Sequence, residues 1–244
     1  MIQVFKSTAA LSKEAVEIFV QSAQEAVQEN GRFTVALTGG SSPEQLYKLL
    51  AQAPYRELVP WDKTYVFWGD ERWVNLTDDR SNAKMAFDTL LHHVPISKSH
   101  IFPMYGEQAP EDFALVYEKR LQNHFGGAAP RFDLVLLGMG DDGHTASLFP
   151  GTAVLQEKEQ MVQAYYLEPQ SMYRITLTAP CINQAKKIVF MTYGEKKAKA
   201  LREVLEGERN PEQYPAQLIQ PTQGETLWLV DEAAASLLKD KVSE

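Results

Sequence analysis

Short apolar runs alternate along this chain with longer segments of helical periodicity, and that alternation restricts the fold more than any other feature. The runs predict strands at 33–37, 64–68, 132–137, 162–166, 174–177, 188–191 and 226–230. Helices are predicted at 12–29, 43–50, 83–91, 113–121, 196–205 and 232–238; the first carries Val16, Phe19, Val20, Ala23 and Val27 at helical spacing. Repeated strand–helix–strand units require crossovers, so the expected class is α/β, a mainly parallel sheet with helices on both faces. Such sheets bind ligands beyond the carboxyl ends of their strands. No Pro/Ser-rich linker, repeat or low-complexity run divides the chain, and its 244 residues suffice for one large core. A single domain spanning 1–244 is expected, with the turn-rich 207–215 as a surface loop.

Composition removes several classes of function. A 44% hydrophobic content suits a globular protein rather than a disordered one. A net charge of −8 argues against a nucleic-acid partner and obliges any anionic ligand to find local positive charge. The lone cysteine, Cys181, excludes an intrachain disulfide and a cysteine-based zinc site; among Ala179, Pro180 and Ile182 it reads as a small core residue. No His-Glu-x-x-His or similar spacing appears, so neither metal nor cofactor is expected. The first residues lack the pattern of a signal peptide, and no apolar run approaches the roughly 20 residues that span a bilayer. A cytoplasmic protein with no membrane partner is the expectation.

Three motifs carry chemistry, and each directly follows a predicted strand, so all three gather at one sheet edge. The first is Thr38-Gly-Gly-Ser-Ser-Pro43. Gly39 and Gly40 permit a tight turn, Ser42 can cap a helix opening at Pro43, and Gln45 can reach back as in a capping box. Backbone N–H groups with the hydroxyls of Thr38, Ser41 and Ser42 would then suit a phosphate. An ordinary capped turn has the same composition. No Gly-Lys-Ser/Thr follows, so it is not a Walker loop. The second motif is Phe67-Trp-Gly-Asp-Glu-Arg-Trp73. Arg72 can grip phosphate bidentately or steady a developing oxyanion, while Asp70 and Glu71 can bind sugar hydroxyls or fix the arginine. A local salt-bridge cluster is the alternative.

The third motif is Gly138-Met-Gly-Asp-Asp-Gly-His-Thr-Ala-Ser-Leu-Phe-Pro-Gly151. Its Gly-x-Gly-x-x-Gly start matches a dinucleotide fingerprint in letters, but Pro150 and Gly151 interrupt where a helix should open. His144 decides the chemistry: Asp142 or Asp141 can accept a hydrogen bond from its imidazole and fix the tautomer. A structural histidine satisfying loop backbone is the competing role. His92, His93, His100 and His124 lie in loops or at helix ends and read as solvated. Lys197, in Gly194-Glu-Lys-Lys197, and Arg174, at a strand start, are further candidate anion contacts. Trp61, Phe67 and Trp68 read as core.

Taken together, these motifs resemble those of the 6-phosphogluconolactonase family, which is related in fold to glucosamine-6-phosphate deaminases and ribose-5-phosphate isomerases. The resemblance runs nearly the whole chain, and adds Ser81-Asn82, Arg174-Ile-Thr-Leu-Thr178 and Gly194-x-x-Lys197 to the three motifs. It implies a Rossmann-like mainly parallel sheet with a smaller added sheet region. It implies hydrolysis of 6-phospho-D-glucono-1,5-lactone without a metal, the second step of the oxidative pentose phosphate pathway. A monomer is expected. By motif match His144 is the expected general base with Asp142 beside it. Arg72, Lys197 and the loop of Gly39, Gly40, Ser41 and Ser42 match the phosphate-binding region. One departure stands out. Many members carry Lys-Pro-Pro before the Arg-Ile-Thr-Leu-Thr strand, where this chain reads Glu168-Pro-Gln-Ser-Met-Tyr-Arg174. The related deaminases carry an acidic residue shortly after the loop histidine, and Thr145-Ala-Ser-Leu-Phe149 has none. A non-catalytic sugar-phosphate sensor usually adds a DNA-binding segment, whereas about thirty residues precede the first predicted strand here.

Overall fold

The run Phe33-Thr-Val-Ala-Leu37 forms the strand its composition predicts, and all five residues are buried, as a strand covered on both faces requires. The computed structural model describes residues 1–239. Among them are β1 (Ile2–Phe5), β2 (Phe33–Leu37), β3 (Thr64–Trp68), β4 (Asp70–Arg72), β5 (Leu134–Gly138), β6 (Val162–Leu167), β7 (Met172–Leu177), β8 (Lys187–Thr192) and β9 (Glu225–Asp231). Six form an all-parallel sheet in the order β1-β9-β8-β5-β2-β3. The others form an antiparallel sheet in the order β4-β7-β6. The mainly parallel sheet is the one the strand–helix alternation predicted, and the smaller added sheet is the one the family resemblance implied.

The helices are α1 (Thr8–Asn30), α2 (Glu44–Leu50), α3 (Tyr55–Leu58), α4 (Asn82–Ala86), α5 (Pro110–His124), α6 (Ala179–Ile182) and α7 (Ala198–Glu206). α1 shows why such a segment is helical. The Ser7 hydroxyl caps it by accepting from the Ala10 N–H at 3.2 Å. Gly31, at φ 72°, ends it in the left-handed conformation that costs glycine little. Between them Leu11, Ala15, Phe19, Ala23 and Ala26 form a buried stripe against β1, β2, β8 and β9.

Parallel pairing brings the strand ends level. Leu37 lies beside Trp68, and Gly138 beside Met191. The loops after β2, β3, β5 and β8 therefore leave from one edge. Buried tyrosines hold that edge. The Tyr47 hydroxyl of α2 donates to the Thr38 carbonyl at 2.8 Å and accepts from the Thr38 N–H at 3.1 Å. The Tyr117 hydroxyl of α5 donates to the Phe102 carbonyl at 2.8 Å and accepts from the Trp68 N–H at 3.2 Å.

Several elements depart from expectation. β1 precedes α1 and pairs with β9; four half-buried residues give too short a pattern to read as a strand. β4 consists of Asp70, Glu71 and Arg72, whose composition gives no strand signal and which pairs because β7 lies alongside. The predicted helix at 232–238 is only a 3₁₀ turn, Ala234–Leu237. There the Asp231 carboxylate accepts from the N–H groups of Ala234 and Gly194, tying the turn to a neighbouring loop. Ser42 does not cap α2. The cap position belongs to Pro43, which has no side-chain acceptor, so the predicted capping box is absent. The loop 207–215 also does more than cover the surface: the Glu212 carbonyl accepts from Gly151 N–H, and Tyr214 packs over Gly143.

Candidate active site

The loops at the carboxyl edge enclose a cavity of about 290 Å³. The β2 loop contributes Thr38, Gly39, Gly40, Ser41 and Ser42, and β4 contributes Asp70 and Arg72. The β5 loop contributes His144, β7 contributes Arg174, and the turn after β8 contributes Lys197. Most of the residues singled out as site candidates thus line one cavity; Asp142 contacts His144 from outside the lining, and Glu71 and Asp141 are not part of it.

His144 and Asp142 form a close pair. The imidazole Nδ1 lies 2.6 Å from Asp142 Oδ1, and the His144 backbone N–H donates to the same oxygen at 3.0 Å. Burial alone would raise the Asp142 carboxyl. The hydrogen bonds and charge of His144 outweigh it and hold Asp142 below the usual carboxylate range. An ionised Asp142 places the proton on Nδ1 and leaves Nε2 with its lone pair. Gly140 makes the contact possible: a Cβ there would lie 2.1 Å from His144 Nδ1 and 2.5 Å from Asp142 Oδ1. The β5 loop opens no helix. It turns at Gly143, φ 80°, and closes a short bridge between Thr145 and Leu148, which disposes of the dinucleotide fingerprint.

Arg72 and Arg174 face each other directly across the β4–β7 ladder. Like charges so placed repel, so the pair needs an anion or a carboxylate nearby. The Arg72 Nη1 donates to the Arg80 carbonyl at 2.7 Å, and Arg174 Nη2 donates to the Gln170 side-chain oxygen. The Nε–H groups of both arginines are buried without a protein acceptor, and the Asn82 Oδ1 is buried without a protein donor. Buried polar groups are rarely left so, and here three border one cavity. Burial lowers the Arg174 pKa from its ordinary value, against the opposing charge of Asp70.

Asp70 is itself occupied. Its Oδ2 accepts from the Ser147 hydroxyl at 2.6 Å, and the Asn82 amide donates to its Oδ1 at 3.4 Å and to its carbonyl at 3.0 Å. Glu71 does not bind from the cavity wall, contrary to one expectation. Its side chain turns inward, fully buried, and accepts from the N–H groups of Arg72, Asn82 and Ala83 and from the Ser81 hydroxyl. Burial pushes its pKa up to about 7 despite those bonds.

Asn82 and Gln170 fall within named stretches without a role of their own, and Tyr193 is not singled out; all three line the cavity. Gln170 occupies the stretch where the family's Lys-Pro-Pro departs, at the turn between β6 and β7, and only the folding of that hairpin brings it here. Cys181 is buried, which pushes its thiol up to about 12. His100 and His124 are not simply solvated: both pack on Tyr65, and His124 Nε2 lies 2.9 Å from the Thr34 hydroxyl. Among the described residues no group of three His, Cys, Asp or Glu could hold a metal ion, and no helix is long and apolar enough to cross a membrane.

Known proteins resemble this chain in sequence and in fold. A 6-phosphogluconolactonase of Synechocystis sp. is 44% identical over 218 residues, covering 88% of each chain. The structure of a 6-phosphogluconolactonase from Trypanosoma cruzi superposes with a TM-score of 0.86 at 28% identity, covering 98% of this chain and 97% of that one. A monomeric glucosamine-6-phosphate deaminase shares the fold, with a TM-score of 0.81 at 22% identity over 97% and 99% of the chains. Residues 6–228 match the glucosamine-6-phosphate isomerase/6-phosphogluconolactonase family, and the chain belongs to that family.

Proposed function

We propose that this protein hydrolyses 6-phospho-D-glucono-1,5-lactone to 6-phospho-D-gluconate, the second step of the oxidative pentose phosphate pathway, with His144 as general base. The observation that carries this reading is an imidazole pinned at Nδ1 by a carboxylate, on the wall of a cavity that also bears Arg72, Arg174 and Lys197. The names of the 44% identical relative and of the superposing trypanosomal structure support the same substrate.

The substrate's phosphate docks against Lys197, Arg72 and the hydroxyl-rich loop of Thr38, Gly39, Gly40, Ser41 and Ser42. Nε2 of His144 takes a proton from water as the water oxygen attacks the lactone carbonyl. Asp142 stabilises the resulting imidazolium and keeps its orientation. The carbonyl oxygen becomes an oxyanion in the field of the arginines. Collapse breaks the ring C–O bond, the imidazolium returns its proton to the departing ring oxygen, and the acid is released. We read the chain as one catalytic domain that works as a monomer in the cytoplasm, without a nucleic-acid or membrane partner.

Fresh lactone supplied to wild type and His144→Ala tests the assignment against spontaneous ring opening. His144→Ala should lower kcat by roughly 10² to 10⁴ while product affinity survives. Near-normal turnover in that variant would reject the base. Ammonia released from glucosamine 6-phosphate would move the reading to the deaminase branch of the family.

A further inference from the structure

Phe149 belongs to the same loop as His144 but has no part in the reaction as written. Its ring stacks on the imidazole, with centroids 4.0 Å apart and planes 21° from parallel. The guanidinium carbon of Arg174 lies 5.5 Å from the centroid of the same ring. One side chain therefore contacts two charged-site groups carried by different elements, the β5 loop and strand β7. Phe149 is only 7% exposed, so the ring is held by its surroundings.

Each partner has one side-chain hydrogen bond besides. Asp142 holds His144 at a single nitrogen, and a bond at one atom leaves the imidazole free to rock about that axis. Gln170 holds Arg174 at one nitrogen, with Nε left unpartnered. A flat ring against both removes the remaining freedom. Stacked aromatics and cation–ring contacts favour defined geometries that an aliphatic side chain of similar volume does not impose.

We propose that Phe149 is a positioning residue that fixes the His144 imidazole and the Arg174 guanidinium in one mutual geometry. This rests on the reading of His144 as base. Errors of about 1 Å in such geometry cost about a hundredfold in rate.

The test compares wild type, Phe149→Leu, Phe149→Tyr and His144→Ala on fresh 6-phosphogluconolactone. Phe149→Leu should lower kcat about ten- to a hundredfold, and KM by no more than about threefold either way, because Gln170 still holds Arg174. Phe149→Tyr, which keeps the flat ring, should retain most of the turnover. With carbon-labelled histidine, the ring Cε1–H signal of His144, assigned by its loss in His144→Ala, should lie upfield in wild type and Phe149→Tyr and move downfield in Phe149→Leu. Wild-type kcat in Phe149→Leu, or no upfield displacement in wild type, overturns the proposal. If Phe149→Leu fails to fold, the wild-type signal alone decides. An inactive His144→Ala beside a fully active Phe149→Leu removes only the role of Phe149; an active His144→Ala removes the base and this proposal with it.

Discussion

Gly140 carries no functional group, yet the His144–Asp142 pair depends on it. The two side chains fold back over its Cα so closely that a methyl group would overlap the imidazole nitrogen and the carboxylate oxygen. Gly140→Ala must therefore push the pair apart while leaving the parallel sheet beneath untouched. Turnover should drop by about a hundredfold with little change in far-ultraviolet circular dichroism, and full activity in a folded variant would refute the crowding argument. At this scale much of the site was legible. His144, Arg72 and Lys197 announce themselves by type and by their place after a predicted strand, and Arg174 by type at the start of one. Glu71 misled because it sits between two residues that do face the cavity, and a strand turns successive side chains to opposite sides.

That inward carboxylate organises an element. Glu71 gathers the first N–H groups of α4 and the Ser81 hydroxyl, so it fastens the helix that supplies Asn82 to the strand that supplies Arg72. All four of its partners are donors. Glu71→Gln would set an amide N–H₂ against at least one of them and leave a buried donor unpaired, at a cost of about 1–3 kcal/mol. A denaturation midpoint equal to that of wild type would contradict this account. The strands and long helices were readable because each repeats one periodicity over several residues. β1 and β4 were not: a strand of three or four residues carries too little pattern, and its existence depends on a neighbour distant in sequence. At 234–237 the chain makes only one 3₁₀ turn, although the Asp231 carboxylate accepts from its Ala234 N–H as well as from the Gly194 N–H.

For the molecule as a whole, stability should depend on pH through a residue far from any role in catalysis. Burial, then the positive charge of Arg32 and His100, lowers His124 from its ordinary value to about 4. The unfolded chain binds a proton at His124 below about pH 6.5, whereas the folded chain resists it down to about 4. Folding therefore loses stability as pH falls through that window, is unaffected by this group above it, and loses nothing more below it. His124→Gln keeps a partner for Thr34 but cannot titrate. Its melting temperature should fall less steeply than that of wild type between pH 6.5 and 4, and parallel curves would show that another group governs the acid side.

The order of apolar runs and helical repeats, read from the sequence alone, determined the α/β class, the parallel sheet and the edge where the loops collect, because those follow from local periodicity and the handed geometry of crossovers. The motifs and the family resemblance named His144, Asp142, Arg72, Arg174 and Lys197. What the folded molecule decided was which side chains meet: Gln170 and Phe149 against Arg174, Tyr214 over Gly143, Glu71 beneath α4. Phe149–Arg174 and Tyr214–Gly143 join segments far apart in the chain. Gln170–Arg174 and Glu71–α4 are closer in sequence but follow no helix or strand periodicity, because each forms only once its hairpin or loop has folded back on itself.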